Sequence, residues 1–307
     1  MAPPLRGVRS VEIELADLSR AAEFFTQVWN LGPIEPGQTP QTNGSHYFRG
    51  TGTYHHILAL HQITGGPAVR RIVFDAATKE AVHAVYERVK LACKQSEAPH
   101  PLQSPGGGYG FGFADAEGRN FAVVCGVADH TDAKDQPDCP RKIAHVNLNA
   151  IDRDGTRDFL VDVLGFKLID ETPALLFFHG DSTDHNALVV SRASASTVNH
   201  VAFELPDLDS VMRGAGRMRD AGYPIEWGVG RHGAGDNVFV YFAGPEEFPL
   251  EYTGEVLQID DSYAPRGPNH WRFPPGRMDQ WGITPPHTAR WKRIQNMHLF
   301  KPGAFRI

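Results

Sequence analysis

The chain has 307 residues, 41% of them hydrophobic and 21% charged, with a formal net charge of −6. That length suits one large domain or two of medium size, and the acidic balance offers no basic surface for nucleic acid or anionic lipid. No apolar run reaches the roughly 18 residues of a membrane-crossing helix or forms a signal peptide, and Cys93, Cys125 and Cys139 form no CxxC pair, so a cytoplasmic setting is expected.

In chain order, the first predicted element is an alternating strand in Val8–Leu31, followed by a polar turn and a helix. Ala22, Phe25, Val28 and Trp29 fall on one face of that helix. A strand over Arg70–Ala77 precedes a helix near 78–95, and Tyr109–Gly126 reads as two strands joined by a Gly- and acid-rich turn. The polar, Pro-containing stretch after residue 129 reads as a linker, residues 130–141.

The whole pattern then repeats. Ile143–Phe166 lies over Val8–Leu31, with Phe159, Val163 and Leu164 on the helical face. Asn199–Pro206 lies over Arg70–Ala77 before a helix at 207–221, and Asp236–Gly254 lies over Tyr109–Gly126. The expected fold class is α+β, with a pair of βαβββ modules in each half curling a sheet around a cavity. The expected domains are 1–129, without metal, and 142–255, followed by a lid-like tail, 256–307, rich in Pro, Trp and Arg.

Three strand-borne residues of the second half are candidate ligands: His145 in AHVNLNA, His200 in NHVAFEL and Glu251 in FPLEYTG. Each sits in an apolar strand, where an ionisable group is costly to bury without a partner. Two imidazoles and one carboxylate leave coordination positions open, the facial triad that suits Fe(II) oxygenases. A lone strand histidine is more often a hydrogen-bonded structural residue. The repeat discriminates, because it sets Ser10, Arg71 and Val123 opposite the three candidates, so all three are missing together from the first half.

At these residues the chain resembles the two-domain extradiol dioxygenases of the vicinal oxygen chelate superfamily, nearest the homoprotocatechuate 2,3-dioxygenase branch. The resemblance covers nearly the whole chain. It implies metal ligation by His145, His200 and Glu251, with Fe(II) or alternatively Mn(II), and ring opening of a catechol by O2 in aromatic catabolism. His185 matches the family's acid–base histidine, His232 and Tyr241 match residues that contact substrate oxygen, and Asn147 lies where an Asn flanks the O2 position. Tyr241 precedes Glu251 by ten positions, so a hairpin can turn both toward one cavity.

The pocket departs from the pattern. Of three carboxylate-binding arginines, Arg277 is present and the others are Met278 and Trp227, while Phe177 replaces a tryptophan. An apolar residue cannot reproduce a bidentate Arg–carboxylate contact, so the expected catechol is larger or less anionic than homoprotocatechuate. Trp271, Arg277 and Trp281 are expected in a lid that excludes water. The partners implied are the catechol and O2, with a homo-oligomer as in relatives. The alternatives are a glyoxalase-type isomerase, a hydroxyphenylpyruvate-type oxygenase, or a non-catalytic binding protein.

Overall fold

The alternating stretch that opens each half becomes an inner strand of a nine-stranded sheet. The computed structural model describes residues 4–34 and 44–307. The first half runs β1 (Leu5–Leu15), α1 (Leu18–Glu23), β2 (Gly32–Pro33), β3 (His46–Arg49), β4 (Leu58–Gln62), β5 (Ala68–Ala76), α2 (Lys79–Ala92), β6 (Gln95–Ser96), β7 (His100–Pro101), β8 (Tyr109–Ala114) and β9 (Asn120–Cys125). The second half runs β10 (Lys142–Ala150), α3 (Arg153–Asp158), β11 (Lys167–Glu171), β12 (Leu175–His179), β13 (Leu188–Arg192), β14 (Thr197–Leu205), α4 (Leu208–Asp220), β15 (Trp227–Arg231), β16 (Val238–Ala243) and β17 (Pro249–Gly254). The tail adds α5 (Ala289–Ile294) and β18 (His298–Leu299).

The two sheets have the same order, β2-β3-β4-β1-β5-β9-β8-β6 and β11-β12-β13-β10-β14-β17-β16-β15, so the fold is the doubled βαβββ arrangement that the repeat implied. The helices before α5 begin at Asp17, Thr78, Asp152 and Asp207, whose side chains accept a backbone N–H of the first turn. The α-helical spacing read for Val28 and Leu164 fails in detail: α1 widens into a π turn at Phe24–Val28, and α3 does so at Phe159–Leu164. The wider turn lets Trp29 N–H donate to the Phe24 carbonyl and turns the indole into the core, fully buried.

Register corrects one pairing of the repeat. Ser10 faces Val73 across β1–β5 as His145 faces Ala202 across β10–β14. Val73 in turn faces Ala122, and Ala202 faces Glu251, so the counterpart of Glu251 is Ala122, not Val123. Every residue of β9 is buried, so the sequence offers no polar–apolar alternation to fix its phase. The same register makes His55 the counterpart of His185.

One apolar core joins the halves. Trp29 stacks on Tyr252 of β17 at 3.7 Å, and the Tyr252 hydroxyl donates to the Trp29 carbonyl at 2.9 Å. The hairpin tips also cross over. Glu246 accepts the Ala16 and Asp17 amides at 2.7 and 3.0 Å, and Glu117 accepts the Asp152 amide at 2.7 Å. The short turn Pro245–Glu247 leaves helical backbone at Glu246, and Glu246 and Glu247 have φ of +51° and +58°. The two bonds to Glu246, with Arg293 donating to Glu247 at 2.9 and 3.0 Å, hold this unfavourable backbone in place.

The first sheet encloses a cavity of about 210 Å³ lined by Ser10, Glu12, His61, Arg71 and Ala122 among others. Glu12 lies 3.1 Å from His61 and 3.1 Å from Arg71, and Arg71 also donates to the Arg306 carbonyl at 2.5 Å. The end of the tail thus lies across the first half. Burial pushes the Glu12 carboxyl up, but Arg71, His61 and Arg70 outweigh it and bring it from 4.5 down to about 2.

A carboxyl depressed by folding stabilises the protein above its unfolded value and loses that contribution as pH falls through its folded value. Glu12→Gln is therefore expected to lower stability at neutral pH and to flatten the loss of stability between pH 4.5 and about 2. Urea denaturation at a series of pH values reads this, and parallel curves for variant and wild type would contradict it.

Candidate metal centre

Strand register brings the three candidate ligands together. His145 on β10, His200 on β14 and Glu251 on β17 come from three adjacent strands. Each offers one ligand atom, and these atoms lie within 4.8 Å of one another. The His145 and His200 Nε2 atoms are 3.2 Å apart, and they lie 3.4 and 3.1 Å from Glu251 Oε2. Glu251 is fully buried, and neither of its oxygens accepts a well-aligned hydrogen bond.

Burial by itself pushes the Glu251 carboxyl up. The imidazoles of His145 and His200 outweigh that and hold it well below the usual carboxylate range, so it is the anion that is buried. Burial pushes His200 down, with Glu251 opposing. A buried anion whose lone pairs face two imidazole nitrogens is the donor set that a divalent cation completes. The residues present fit a mononuclear metal.

His232 follows β15, and Tyr241 lies on β16 directly opposite Glu251. His232 Nε2 is 2.9 Å from the Tyr241 hydroxyl and 3.8 Å from Glu251 Oε1. Burial drives His232 down to about 3, and burial with the Glu251 charge raises Tyr241 well above its ordinary value. A neutral imidazole and a protonated phenol therefore face each other. Asn147 lies across from His200, and its Oδ1 accepts from Ser191 at 2.9 Å.

Trp227 packs on Phe239 at 4.4 Å and lies 5.2 Å from Tyr241 and 5.8 Å from His232, so it walls the same side. Trp291 of α5, fully buried, closes this cluster 5.6 Å from Tyr241. The tail residue His287 lies 4.3 Å from Trp227, with its buried Nε2 unpartnered.

His185 is held differently from the other site residues. It is fully buried, with Nε2 2.7 Å from Asp170 Oδ2 and Nδ1 2.9 Å from Asn186 Oδ1. The Tyr263 hydroxyl donates to the same Asp170 oxygen at 2.8 Å, and Phe177 lies 6.0 Å from the His185 ring. Arg277, Met278 and Trp281 occupy exposed turns of the tail. The Arg277 guanidinium donates to the Gly282 and Gly276 carbonyls, and Met278 and Trp281 are 41% and 40% exposed. No described contact joins these three to the triad.

Sequence reasoning passed over Asp170, Asn199, Trp291 and Gln295. Asn199 and Asp170 carried a weak signal, as polar residues within strand patterns beside His200 and in KLIDE.

Three comparisons bear on this geometry. Residues 142–252 match the family model described as Glyoxalase/Bleomycin resistance protein/Dioxygenase superfamily. Metapyrocatechase 2 of Cupriavidus necator is 34% identical over 130 residues, which is 42% of this chain and only 39% of that protein. The Mn(II)-bound glyoxalase from Novosphingobium aromaticivorans is 30% identical, with a TM-score of 0.85 over 98% of this chain and 99% of that one. Homoprotocatechuate 2,3-dioxygenase from Brevibacterium fuscum, in complex with 3,4-dihydroxyphenylacetate, has the same fold, with a TM-score of 0.80 at 19% identity over 95% of this chain and 92% of that one. The chain belongs to the Glyoxalase/Bleomycin resistance protein/Dioxygenase superfamily.

Proposed function

We propose that this protein is an extradiol dioxygenase that opens a catechol ring with O2 at one Fe(II) or Mn(II) held by His145, His200 and Glu251. The observation that carries the reading is the buried Glu251 anion, unsatisfied at both oxygens, facing two imidazole nitrogens beside the His232–Tyr241 pair. The metal, when bound, supplies a Lewis-acidic centre with open positions for a diol and O2.

The chain's own residues would do the rest. A diol entering between His232 and Tyr241 meets one acceptor and one donor. Neutral His232 accepts a hydrogen bond from one hydroxyl at Nε2, and the Tyr241 hydroxyl donates to the other oxygen. Trp227, Phe239 and Trp291 keep water from that side. His185 is bound to Asp170 and lies beside Phe177, and its acid–base role would require release of the Asp170 contact.

A cleft of about 400 Å³, lined by Gly233, Leu257, Arg266, Trp271 and Phe273, begins beside His232. Trp227 in place of a carboxylate-binding arginine, with Trp271 and Phe273 in the cleft, supports a catechol bearing a second ring, and Arg266 and Arg272 of the same cleft would meet any polar or acidic group on it. Three unpaired cysteines support a reducing, cytoplasmic setting.

A glyoxalase reading is favoured by the name of one structural relative. Against it, the first-half positions that correspond to the triad are Ser10, Arg71 and Ala122, which leave that half without a ligand set. Metal-loaded protein should take up O2 and form yellow ring-opened product from catechols, best with aryl-substituted ones. Formation of a thioester from methylglyoxal and glutathione, without O2 uptake on any catechol, would establish the rival instead.

Two sets of variants bear on the roles. His145→Ala and Glu251→Ala should each lose bound metal and activity with an unchanged circular dichroism spectrum. Full metal occupancy in either would remove that residue from the ligand set. His232→Phe and Tyr241→Phe should keep the metal and lower kcat by about 10²–10³-fold, the range for a lost hydrogen bond to a reacting oxygen. Wild-type kcat in both would take the pair out of the mechanism.

A further inference from the structure

Asn199 is the extra residue of a β-bulge. Asn147 pairs with His200, and the next residue, Leu148, pairs with Val198, which leaves Asn199 unpaired in the ladder. A bulge of this kind turns two neighbouring side chains toward the same side. Asn199 Oδ1 consequently lies 2.8 Å from Nδ1 of its own neighbour His200.

The hydrogen bonds around Asn199 fix every donor in the chain. The Gln295 main-chain carbonyl can only accept, so Asn149 Nδ2, 2.7 Å away, is a donor. Asn149 Oδ1 then accepts from Asn199 Nδ2 at 3.0 Å, which leaves Asn199 Oδ1 as an acceptor. That oxygen takes one hydrogen bond from Gln295 Nε2 at 2.8 Å and one from His200. His200 Nδ1 therefore carries the proton, and the Nε2 lone pair faces His145 and Glu251.

Gln295 follows α5 in the tail and is 7% exposed. Trp291 and Ile294 of the same helix are fully buried against Trp227, Phe239 and Tyr241. The tail is thus packed on one side of the site and hydrogen-bonded through Asn199 to a ligand on the other.

We propose that Gln295 and Asn199 are positioning residues that hold His200 in its metal-binding tautomer, so that docking of α5 and retention of the metal are coupled. The inference rests on the metal reading given above. Coupling is reciprocal: whatever affinity the docked tail adds to the metal, the metal returns as stability of the docked tail.

The test uses the full chain with Mn(II) as the probe. Asn199→Leu removes the acceptor, and Mn(II) affinity should fall about 10–100-fold, as for other residues that orient metal-ligating histidines. Asn199→Asp keeps the acceptor for His200 and Gln295 while losing the bond to Asn149, and it should stay within a few-fold of wild type. Equal losses in the Asp and Leu variants would mean a purely structural role and overturn the proposal.

Gln295→Leu, which leaves the Asn149 bonds intact, guards against misfolding of the Asn199 variants. It should weaken Mn(II) binding and abolish the metal's protection of α5 against trypsin at Arg290, Lys292 and Arg293. Unchanged affinity in Gln295→Leu overturns the role of Gln295 and the coupling with it, and wild-type cleavage indifferent to Mn(II) overturns the coupling alone. Failure of the wild type to bind Mn(II) or Fe(II) overturns the metal reading and the inference with it.

Discussion

The site depends on one costly arrangement, a carboxylate anion with no solvent exposure and no hydrogen-bond donor of its own. An unpaired buried charge is among the least tolerable features of a folded protein. The two halves answer the same problem differently inside matching sheets. In the first cavity Glu12 is met by Arg71, His61 and Arg70, and the charges close on themselves. In the second, Glu251 is met by imidazoles alone, closest by those of His145 and His200, which hold its charge only while protonated and in their neutral forms offer lone pairs to a cation. The first solution is complete as it stands, and the second calls for a cation.

The half without the triad still supports the centre. Tyr252 follows Glu251 on β17 and points to the opposite side, where Trp29 of the first half stacks on it and accepts its hydroxyl proton in a hydrogen bond. Glu246, at the tip of the hairpin that ends in β17, is tied to the loop before α1. The strand that carries the carboxylate is therefore clamped from the first half at its turn and behind its back. On the other side the tail packs Trp291 beside Tyr241 and sends Gln295 to the partner of His200. Ligand positions are set by groups far apart in sequence, the pre-organisation on which a metal site depends.

Much of this was legible in the sequence, because a doubled pattern reports on itself. The modules and their order follow from laying one half on the other, and His145, His200 and Glu251 stood out by their apolar strand contexts, their joint absence from the first half and the family resemblance. What failed did so for physical reasons. β9 and β17 are buried along their whole length, so the pairing of Val123 with Glu251 slipped by one residue to Ala122. The π turns after α1 and α3 leave no mark in composition. Asp170, Asn199 and Gln295 act through hydrogen bonds that mostly join distant segments, and local patterning carries little trace of those. The tail lacks periodicity, so its division between the metal centre, an exposed turn around Arg277 and the first-half cavity could not be read from it.

Titration of metal-free protein with Fe(II) or Mn(II) under anaerobic conditions, followed by calorimetry and thermal unfolding, tests the central claim most directly. The account predicts one ion per chain, a rise in the unfolding temperature on binding, and loss of both in Glu251→Gln. Saturable binding of no ion by the wild type, or equal binding by Glu251→Gln, would contradict it.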